Sequence, residues 1–449
     1  MFEGPVLPVL IKLAVPMLAG MIVQLLYNIT DTIFISRIDL SDPSIVGGVG
    51  FVFPVMFLAM ALAGGLMTGT SSLVARAIGE KNHEVLGVTA ESSLIIALLF
   101  SMVTVVFSYM FDNEIVSLLG AKGDYAANAL AYIRFIIPAA VGAYIVNVVM
   151  GILQGEGQVK YIMNIMIIGT GLNIILDPIF IFVLGWGVAG AGAATSVAQF
   201  ISLIYAFTPF LRKKVSMEIH WNLRNIRFSV IGKILSIGLP QALGMMLMSV
   251  SFLFLNRIVT DIDPLALTAF SLCGRFDQAV LMPSFALGSA LITIMGQNGG
   301  RGNYERMRKV WHSALIAGAI SVAVIALGMV LLAPWIFSFF SDIPEVVNYA
   351  VKQTRILEFT FLFAMIAIIS RSGFQAVGYP IPALIGILLR LLIIVIPVAY
   401  FLVYILDLGM YGVWFGLIAG GLVSSSVSLI WLGTILKQII SGKREFRKV

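Results

Sequence analysis

Long apolar stretches alternate with short polar connections along the whole chain. An α-helix of about 20 mainly apolar residues is long enough to cross a bilayer, and twelve stretches reach that length. We therefore predict an all-α integral membrane protein with twelve transmembrane helices. The predicted spans, numbered 1 to 12, cover residues 8–38, 44–77, 86–110, 124–154, 160–184, 187–211, 229–259, 265–298, 307–340, 345–376, 379–405 and 410–437.

The composition indicates that lipid is the solvent for most of the chain. Of its 449 residues, 60% are hydrophobic and 11% are charged, whereas soluble domains carry roughly a quarter charged residues. The single cysteine, Cys273, excludes an intramolecular disulfide framework, and the sequence has no Cys/His cluster of the kind that binds zinc. We expect no cofactor and no zinc site.

Basic residues are distributed unevenly between the two predicted faces of the membrane. Twelve spans place both termini on one side, and the connections on that side hold most of the Lys and Arg residues, including 212–214 and the tail 441–449. Basic connections stay in the cytoplasm, so we predict a multi-pass protein of the plasma membrane with both termini cytoplasmic. The net charge of +6 is a topology signal, and because the basic residues are scattered we expect no binding to nucleic acid.

The two halves of the chain resemble each other. Pro16 and Pro240 lie in similar segments 224 residues apart, and Gln154 and Gln375 lie in similar segments 221 residues apart. Since each half has six spans, both copies insert in the same direction, which predicts two six-helix lobes related by a pseudo-twofold axis along the membrane normal. The predicted domains are an N-terminal lobe over 1–211, a cytoplasmic linker over 212–228, a C-terminal lobe over 229–440 and a basic cytoplasmic tail over 441–449.

Span 1 contains a carboxylic acid, Asp31, within an apolar helix. An acid at the centre of a membrane helix costs roughly 2.5–3.5 kcal/mol on insertion scales, so it needs a partner or a function. Steps of three and four residues place Gln24, Tyr27 and Asn28 on the same helical face as Asp31. This polar stripe is expected to face the interior of the helix bundle.

Span 5 contains a second acid, Asp177, one helical turn after Asn173. Pro178 follows, and because proline has no N–H it leaves the carbonyl of Ile174 free beside the acid. With Asp31, these groups predict an oxygen-rich site for a cation or a proton, since desolvation and a second nearby acid both favour the protonated form of a carboxyl group. The alternative is that each acid only hydrogen-bonds a neighbouring helix and stabilises the bundle.

Charged residues in the C-terminal half are close enough in sequence to neutralise each other. Arg275 lies two residues before Asp277, and Arg355 lies three residues before Glu358. We predict C-lobe ion pairs between these residues, with a structural or gating role. Further cations within apolar spans are Arg134, Arg371 and Arg390.

These features together resemble the multidrug and toxic compound extrusion (MATE) transporters, and most closely their DinF-type branch. The resemblance rests on twelve spans in two halves, on a proline 15 residues before an acid in span 1, on LNIILDPIF in span 5 and on QGEG at the end of span 4. It covers essentially the whole chain. Members of the NorM branch carry an acid in span 7, and span 7 of this chain has none, although Glu358 lies in span 10.

The resemblance implies a coupling site in the first lobe with hinges beside it. Pro16 matches the proline at which span 1 is expected to bend, and Pro178 marks a hinge in span 5. The implied site either takes up a proton or binds Na+ at Asp31, Asn173, Asp177 and Thr195. The full set of implied cation- or proton-coupling residues is Asp31, Asn173, Asp177, Thr195 and Tyr132.

The resemblance also implies a function, namely a secondary active multidrug antiporter that exports amphipathic or cationic organic compounds in exchange for H+ or Na+ by alternating access. The alternative within the same superfamily is a flippase for lipids or lipid-linked saccharides, which would need a strongly cationic cavity. An enzyme is not expected, because the spans hold no nucleophile with a recognisable base. A channel fits less well than alternating access, because the lobes are duplicated and each has buried acids. Expected partners are small amphipathic substrates and membrane lipids, with the protein acting as a monomer.

Overall fold

The computed structural model describes residues 1–39, 41–217 and 227–449, except for the side chain of Asn28. Within these ranges the chain is helical and contains no β-strand. The first half contains α1 (Val6–Ser36), α2 (Pro43–Glu80), α3 (His83–Met110), α4 (Asp112–Leu118), α5 (Asp124–Ile136), α6 (Ala139–Glu156), α7 (Val159–Pro178), α8 (Gly187–Ala206) and α9 (Thr208–Leu211). The second half contains α10 (Phe228–Ile262), α11 (Pro264–Gly300), α12 (Tyr304–Phe340), α13 (Pro344–Leu357), α14 (Phe361–Ala376), α15 (Ile381–Leu388), α16 (Ile396–Tyr400) and α17 (Met410–Ile440). Residues Ile179–Val183, Leu389–Val395 and Phe401–Ile405 form π-helical segments, and Glu358–Thr360 form a 3-10 turn.

Twelve helical segments within the described residues are long and apolar enough to cross a membrane, which confirms the predicted number of spans. Span 4 differs from its predicted bounds of 124–154, because the structure has two helices there, α5 and α6, which meet at Pro138. Proline cannot donate the backbone hydrogen bond to residue i−4, so the helix is interrupted. The membrane-length part of span 4 is Ala139–Glu156.

Polar side chains and glycine cap the long helices where the chain turns. The Asp42 carboxylate accepts a hydrogen bond from the Ser44 backbone N–H at 2.8 Å at the start of α2. Asp263 caps α11 in the same way through Leu265, also at 2.8 Å. Gly157, with φ of 83°, ends α6. These caps satisfy backbone groups that a helix end leaves unpaired, and they lie in the polar connections that the sequence predicts.

Apolar side chains cover the outer faces of α3 and α12. Val103 on α3 is 68% exposed in the isolated chain, and Leu331 on α12 is 69% exposed. Contiguous apolar surface of this kind is unfavourable in water, whereas in a bilayer it contacts lipid tails. The chain is therefore a multi-pass membrane protein.

The described chain divides into two compact units. Unit 1 comprises Met1–Leu18 and Leu243–Lys448, and unit 2 comprises Ala19–Ala242 together with Val449. The division therefore falls inside α1 and inside α10, two residues after a proline in each helix. The two boundaries lie at corresponding positions of the two similar halves, because the prolines are Pro16 and Pro240.

The predicted domain bounds follow chain order and stay a prediction. The predicted lobes 1–211 and 229–440 keep α1 and α10 whole, whereas the two compact units divide both helices. Part of the predicted linker 212–228 also lies outside the described residues, namely 218–226.

Glycines let α10 approach α2 backbone to backbone within unit 2. A methyl group added at Gly238 would lie 2.7 Å from the carbonyl oxygen of Gly65, and one added at Gly65 would meet the carbonyl oxygen of Gly238. Gly69 faces the carbonyl of Ile234 in the same manner. Small residues at helix crossings allow the close van der Waals contact that holds membrane helices together. The first part of α10 therefore belongs to the packing of unit 2.

Helix α17 holds the neighbouring helices of unit 1. Trp414 on α17 is 1% exposed, and its indole N–H donates to Oε1 of Gln353 on α13 at 3.2 Å. Gly420 faces the backbone of the π-helical segment in span 11, because a Cβ there would lie 2.9 Å from the carbonyl oxygen of Arg390. The position of that π-helical segment is thus fixed by close contact with α17.

The last residues of the chain are docked on unit 1. The Phe446 side chain is 6% exposed, and its ring centroid lies 5.9 Å from that of Tyr304. Arg444 and Arg447 lie over the ring of Tyr379, at 4.7 and 4.4 Å from its centroid. A cation over an aromatic face is attracted by the ring, so these residues of the basic tail are held against the helices.

Candidate functional site

Two carboxylic acids come together inside unit 2. Asp31 on α1 and Asp177 at the end of α7 lie within hydrogen-bonding reach of each other. Asp177 is fully buried, and Oδ1 of Asp31 is shielded from solvent without a hydrogen-bond partner among the described residues. Two carboxylates at such a distance repel each other unless a proton or a cation lies between them. The pair therefore forms a site for a positive charge.

Asn173 connects this acid pair to α8. With its amide nitrogen towards the acids, Asn173 donates to Oδ2 of Asp177 at 2.9 Å and to the hydroxyl of Tyr27 at 3.1 Å. Its amide oxygen then accepts from the backbone N–H of Thr195 at 3.0 Å. We assign this orientation because both ends of the amide then form hydrogen bonds. In the opposite orientation the amide oxygen would face only other acceptors.

Thr195 and two tyrosines complete the surroundings of the acids. The Thr195 hydroxyl lies 3.1 Å from the Asn173 amide oxygen, to which it donates in this orientation, and 3.1 Å from the carbonyl oxygen of Ala191, the alternative acceptor for its one proton. Tyr27 lies within hydrogen-bonding reach of Thr195 and close to both acids. Tyr132 on α5 is 4% exposed and also lies near the pair. The tertiary fold thus brings together helices α1, α5, α7 and α8.

All five coupling residues predicted from the sequence lie in this one cluster, which we call the acid cluster: Asp31, Tyr132, Asn173, Asp177 and Thr195. Sequence reasoning did not include Tyr27 among the site residues. Its position one turn before Asp31 in the polar stripe was the signal that could have included it. The part that these residues play in transport is a proposal.

The two predicted hinges, Pro16 and Pro178, lie at different kinds of position. Pro16 lies near the boundary between the two compact units, and Pro178 lies where a regular helix ends. Pro16 lies inside α1, two residues before the chain passes from unit 1 to unit 2. Pro178 ends α7 directly after Asp177, and the π-helical segment Ile179–Val183 follows it. Irregular turns of this type are frequent at functional sites. The local helix geometry is therefore interrupted beside the acid cluster, and a hinge role is a proposal.

The structure does not bring together the predicted ion pairs of the C-terminal half. Arg275 and Arg355 are exposed, whereas Glu358 is 1% exposed and lies near Asp277, beside Cys273. Residues two apart on an α-helix point about 200° away from each other, which separates Arg275 from Asp277. Glu358 belongs to a 3-10 turn between α13 and α14, and this break in the helix separates its direction from that of Arg355.

Across residues 1–39, 41–217 and 227–449, no group of three His, Cys, Asp or Glu side chains converges to hold a metal ion. The acid cluster has only two carboxyl groups and is otherwise made of hydroxyl and amide groups. Its chemistry suits a proton or a monovalent cation.

The Thr195 hydroxyl gives a local test of the acid cluster. Thr195→Val keeps the shape of the side chain but removes the hydroxyl, so Tyr27 and Asn173 lose a partner. An unsatisfied buried polar group costs about 1–3 kcal/mol. If the acid cluster couples an ion to transport, as the sequence predicts, we expect gradient-driven transport to fall several-fold, with Thr195→Ser close to wild type. Transport per folded protein in proteoliposomes measures this.

Ser202→Ala is the matched control for that experiment. The Ser202 hydroxyl lies on the same helix, and it donates only to the carbonyl of Ala198 in the preceding turn at 2.8 Å. Equal transport by Thr195→Val, Ser202→Ala and wild type would mean that the Thr195 hydroxyl has no part in coupling.

Comparison with known proteins identifies relatives over almost the full chain. The family model described as MatE matches twice, at residues 16–179 and 240–401. The matches begin at Pro16 and at Pro240, which agrees with the internal duplication seen in the sequence. Within that family the comparisons specify no branch, so the DinF-type assignment stays a prediction.

Two curated relatives and one solved structure illustrate the similarity. A probable multidrug resistance protein NorM of Thermotoga maritima is 24% identical over 445 residues, covering 98% of this chain and 93% of that protein. The multidrug export protein MepA of Staphylococcus aureus is 22% identical over 429 residues, covering 95% and 94%. A multidrug resistance MATE transporter of the MOP superfamily, solved in an outward-facing conformation, superposes with a TM-score of 0.92 at 28% identity, covering 98% and 97%. This similarity to MATE structures agrees with the predicted fold of twelve helices in two lobes.

Proposed function

The chain belongs to the MatE family, and from that membership we propose that it is a secondary active antiporter, which exports amphipathic and often cationic organic compounds in exchange for protons. It is a membrane transporter and not an enzyme. Relatives named as multidrug transporters match it over nearly their whole length, which supports small organic molecules as substrates. The proposed location is the plasma membrane, with both termini in the cytoplasm, as the basic connections indicate.

The close approach of Asp31 and Asp177 carries this proposal. A positive charge between the two carboxyl groups removes their repulsion. When the positive charge leaves, the repulsion returns. In a medium of low dielectric constant, such a change alters the energy of every polar group nearby. The proposed functional unit is a monomer.

The orientation assigned to Asn173 from its hydrogen bonds is compatible with a proton as the coupling ion and is the basis for proposing the proton first. The amide nitrogen points towards the acids and the amide oxygen points towards Thr195. Hard cations take oxygen ligands, so a sodium ion between the acids would require the Asn173 amide to turn over and lose its contact with Thr195. Sodium bound at Asp31, Asn173, Asp177 and Thr195 is the second candidate.

The proposed cycle links proton uptake to the shape of α1. Coupling requires that the ion stabilise one conformation more than the other. A proton from outside neutralises the acid pair, α1 rearranges around Pro16, and the substrate is held less tightly and leaves. Loss of the proton to the cytoplasm then restores the starting conformation.

A proton gradient alone is expected to drive export by the purified protein. One pH unit supplies about 1.4 kcal/mol per proton, which can concentrate a substrate about tenfold for each proton exchanged. Proteoliposomes loaded with a fluorescent organic cation would be given a proton gradient without sodium, or a sodium gradient at constant pH. Release is followed by fluorescence, with protein-free liposomes as the control.

The two gradients distinguish the coupling ions. Release driven by protons alone is the expected outcome. Release driven by sodium alone would assign sodium to the same acids and reject the proton. No response to either gradient would reject antiport by this chain.

A further inference from the structure

Two arginines lie next to each other inside unit 1. Arg371 is on α14 in span 10, and Arg390 is in the π-helical segment Leu389–Val395 of span 11. Both side chains are half-buried, and their guanidinium groups are near enough for the two charges to interact. Each arginine within a membrane span costs roughly 2.5–3.5 kcal/mol on insertion scales, and like charges side by side add repulsion. Such an arrangement requires a compensating partner.

The described part of the chain does not supply that partner. The structure records no carboxylate beside either guanidinium, and the charged neighbour of Arg371 that it does record is Arg390. Nε of Arg390 is shielded from solvent and has no hydrogen-bond partner among the described residues. The buried acids of the same unit, Asp277 and Glu358, lie near each other instead. The positive charge of the arginine pair is therefore uncompensated within the described residues.

The backbone around Arg390 is built into a fixed position. The π-helical segment departs from regular α-helix, and such segments often occur at functional sites. Gly420 on α17 packs against the carbonyl of Arg390, and the Ser424 hydroxyl donates to the carbonyl of Gly386 one turn earlier at 3.1 Å. These contacts hold the Arg390 backbone close to α17. The backbone that carries the Arg390 guanidinium is therefore held in place, as is common for residues that bind a ligand.

The chemistry of the pair selects an anion with several oxygens. A guanidinium presents N–H groups in a planar fork that matches phosphate with two parallel hydrogen bonds. Two such forks can compensate one or two negative charges. The same span also presents apolar side chains outward, since Ile385 and Ile393 are exposed on either side of Arg390. An amphipathic molecule with a phosphate group would meet both features.

We propose that Arg371 and Arg390 form a binding site for a phosphate group, carried by an anionic lipid headgroup or present as free phosphate. The residues of this site belong to unit 1, whereas those of the acid cluster belong to unit 2. The proposal does not rest on the antiport mechanism, because it concerns binding and requires no ion gradient.

The site is tested by binding to the purified full-length protein. The probes are phosphatidylglycerol, inorganic phosphate, and a diacylglycerol with the same acyl chains but no phosphate. We expect Arg371→Gln and Arg390→Gln to weaken binding of a phosphate-bearing probe by about tenfold or more each, as loss of a charge-assisted hydrogen bond implies. Arg275→Gln and Arg355→Gln, which change exposed arginines of the same unit, should bind like wild type.

The pattern across probes decides the outcome. If the two Gln variants bind phosphatidylglycerol more weakly than wild type but bind inorganic phosphate equally well, the site is assigned to a lipid headgroup. If the variants bind inorganic phosphate more weakly than wild type, the site is assigned to free phosphate. Equal affinity of wild type and both Gln variants for both phosphate-bearing probes would overturn the proposal.

A second measurement uses wild type alone, in case the variants do not fold. Phosphatidylglycerol or inorganic phosphate should raise the melting temperature of the wild-type protein, whereas the matched diacylglycerol should not, because a ligand that binds only the folded state stabilises it. Equal melting temperatures with and without the phosphate-bearing probes would also overturn the proposal.

Discussion

Asp177→Asn is expected to reduce proton-driven export to the level of protein-free liposomes. Asparagine has nearly the shape of aspartic acid but cannot take up or release a proton, which the proposed mechanism requires of the acid pair. Without that change of charge the two conformations no longer differ in proton affinity, and an ion without differential affinity shifts no equilibrium. The measurement is gradient-driven release of a fluorescent organic cation, per folded protein.

Substrate binding separates loss of coupling from loss of folding in this variant. Asp177→Asn removes a charge that needs compensation, so the protein should still fold and bind the organic cation in detergent. Asp112→Asn is the matched control, because it changes a carboxyl of the same unit that pairs with Arg134 at 2.6 Å, outside the acid cluster. A partly exposed pair of this kind contributes at most about 1 kcal/mol, so transport should stay near the wild-type level.

The companion variant Asp31→Asn tests whether the two acids act as one unit. If they share one proton, Asp31→Asn and the double variant should be no more defective than Asp177→Asn, because contacting residues are not additive. Export by Asp31→Asn or Asp177→Asn at the wild-type rate would reject the acid pair as the coupling site.

Gly65→Ala is expected to lower the stability of the protein, although alanine is the better helix former. The new methyl group would meet the carbonyl oxygen of Gly238, and neither backbone can move without displacing its helix. Overpacking of this kind typically costs about 1–3 kcal/mol. The melting temperature in detergent should fall, and Gly238→Ala should act in the same direction, because its methyl group would meet the backbone of Gly65 at 2.7 Å.

Gly171→Ala provides the control for the effect of alanine itself. A Cβ at Gly171 on α7 would have no heavy atom within 4 Å. Replacing a glycine inside a helix by alanine favours the helix by roughly 0.5–1 kcal/mol, so this variant should be as stable as wild type or more stable. A melting temperature for Gly65→Ala as high as that of Gly171→Ala would mean that α2 and α10 are not in backbone contact.

The sequence predicted the site of unit 2 better than the charges of unit 1. In unit 2, Asp31, Asn173 and Asp177 lie on helical faces that are polar within apolar spans, and such a face must turn inward whatever its neighbours are. Thr195 and Tyr132 were expected only from the resemblance to a known family. In unit 1, Arg275 and Arg355 were paired with acids by distance along the chain alone. That distance fails when a helix turns one side chain outward or when a 3-10 turn redirects the other, as at Glu358.

The number of spans, their all-helical character and the duplication were determined by the sequence alone, because the length of an apolar helix is set by the bilayer and not by its neighbours. The break of span 4 at Pro138 was not predicted, although proline lacks the donor that a helix requires and its position in the sequence was the available signal. The sequence offered the meeting of Asp31 and Asp177 as a hypothesis, and the tertiary structure decided it. Only the tertiary structure showed that Tyr27 joins them and that Arg371 lies beside Arg390. Asp31 and Asp177 are separated by 146 residues of chain, and contacts of this kind depend on which helices pack together and on the rotation of each helix about its axis. Packing between neighbouring helices fixes both, and no local pattern in the sequence records it.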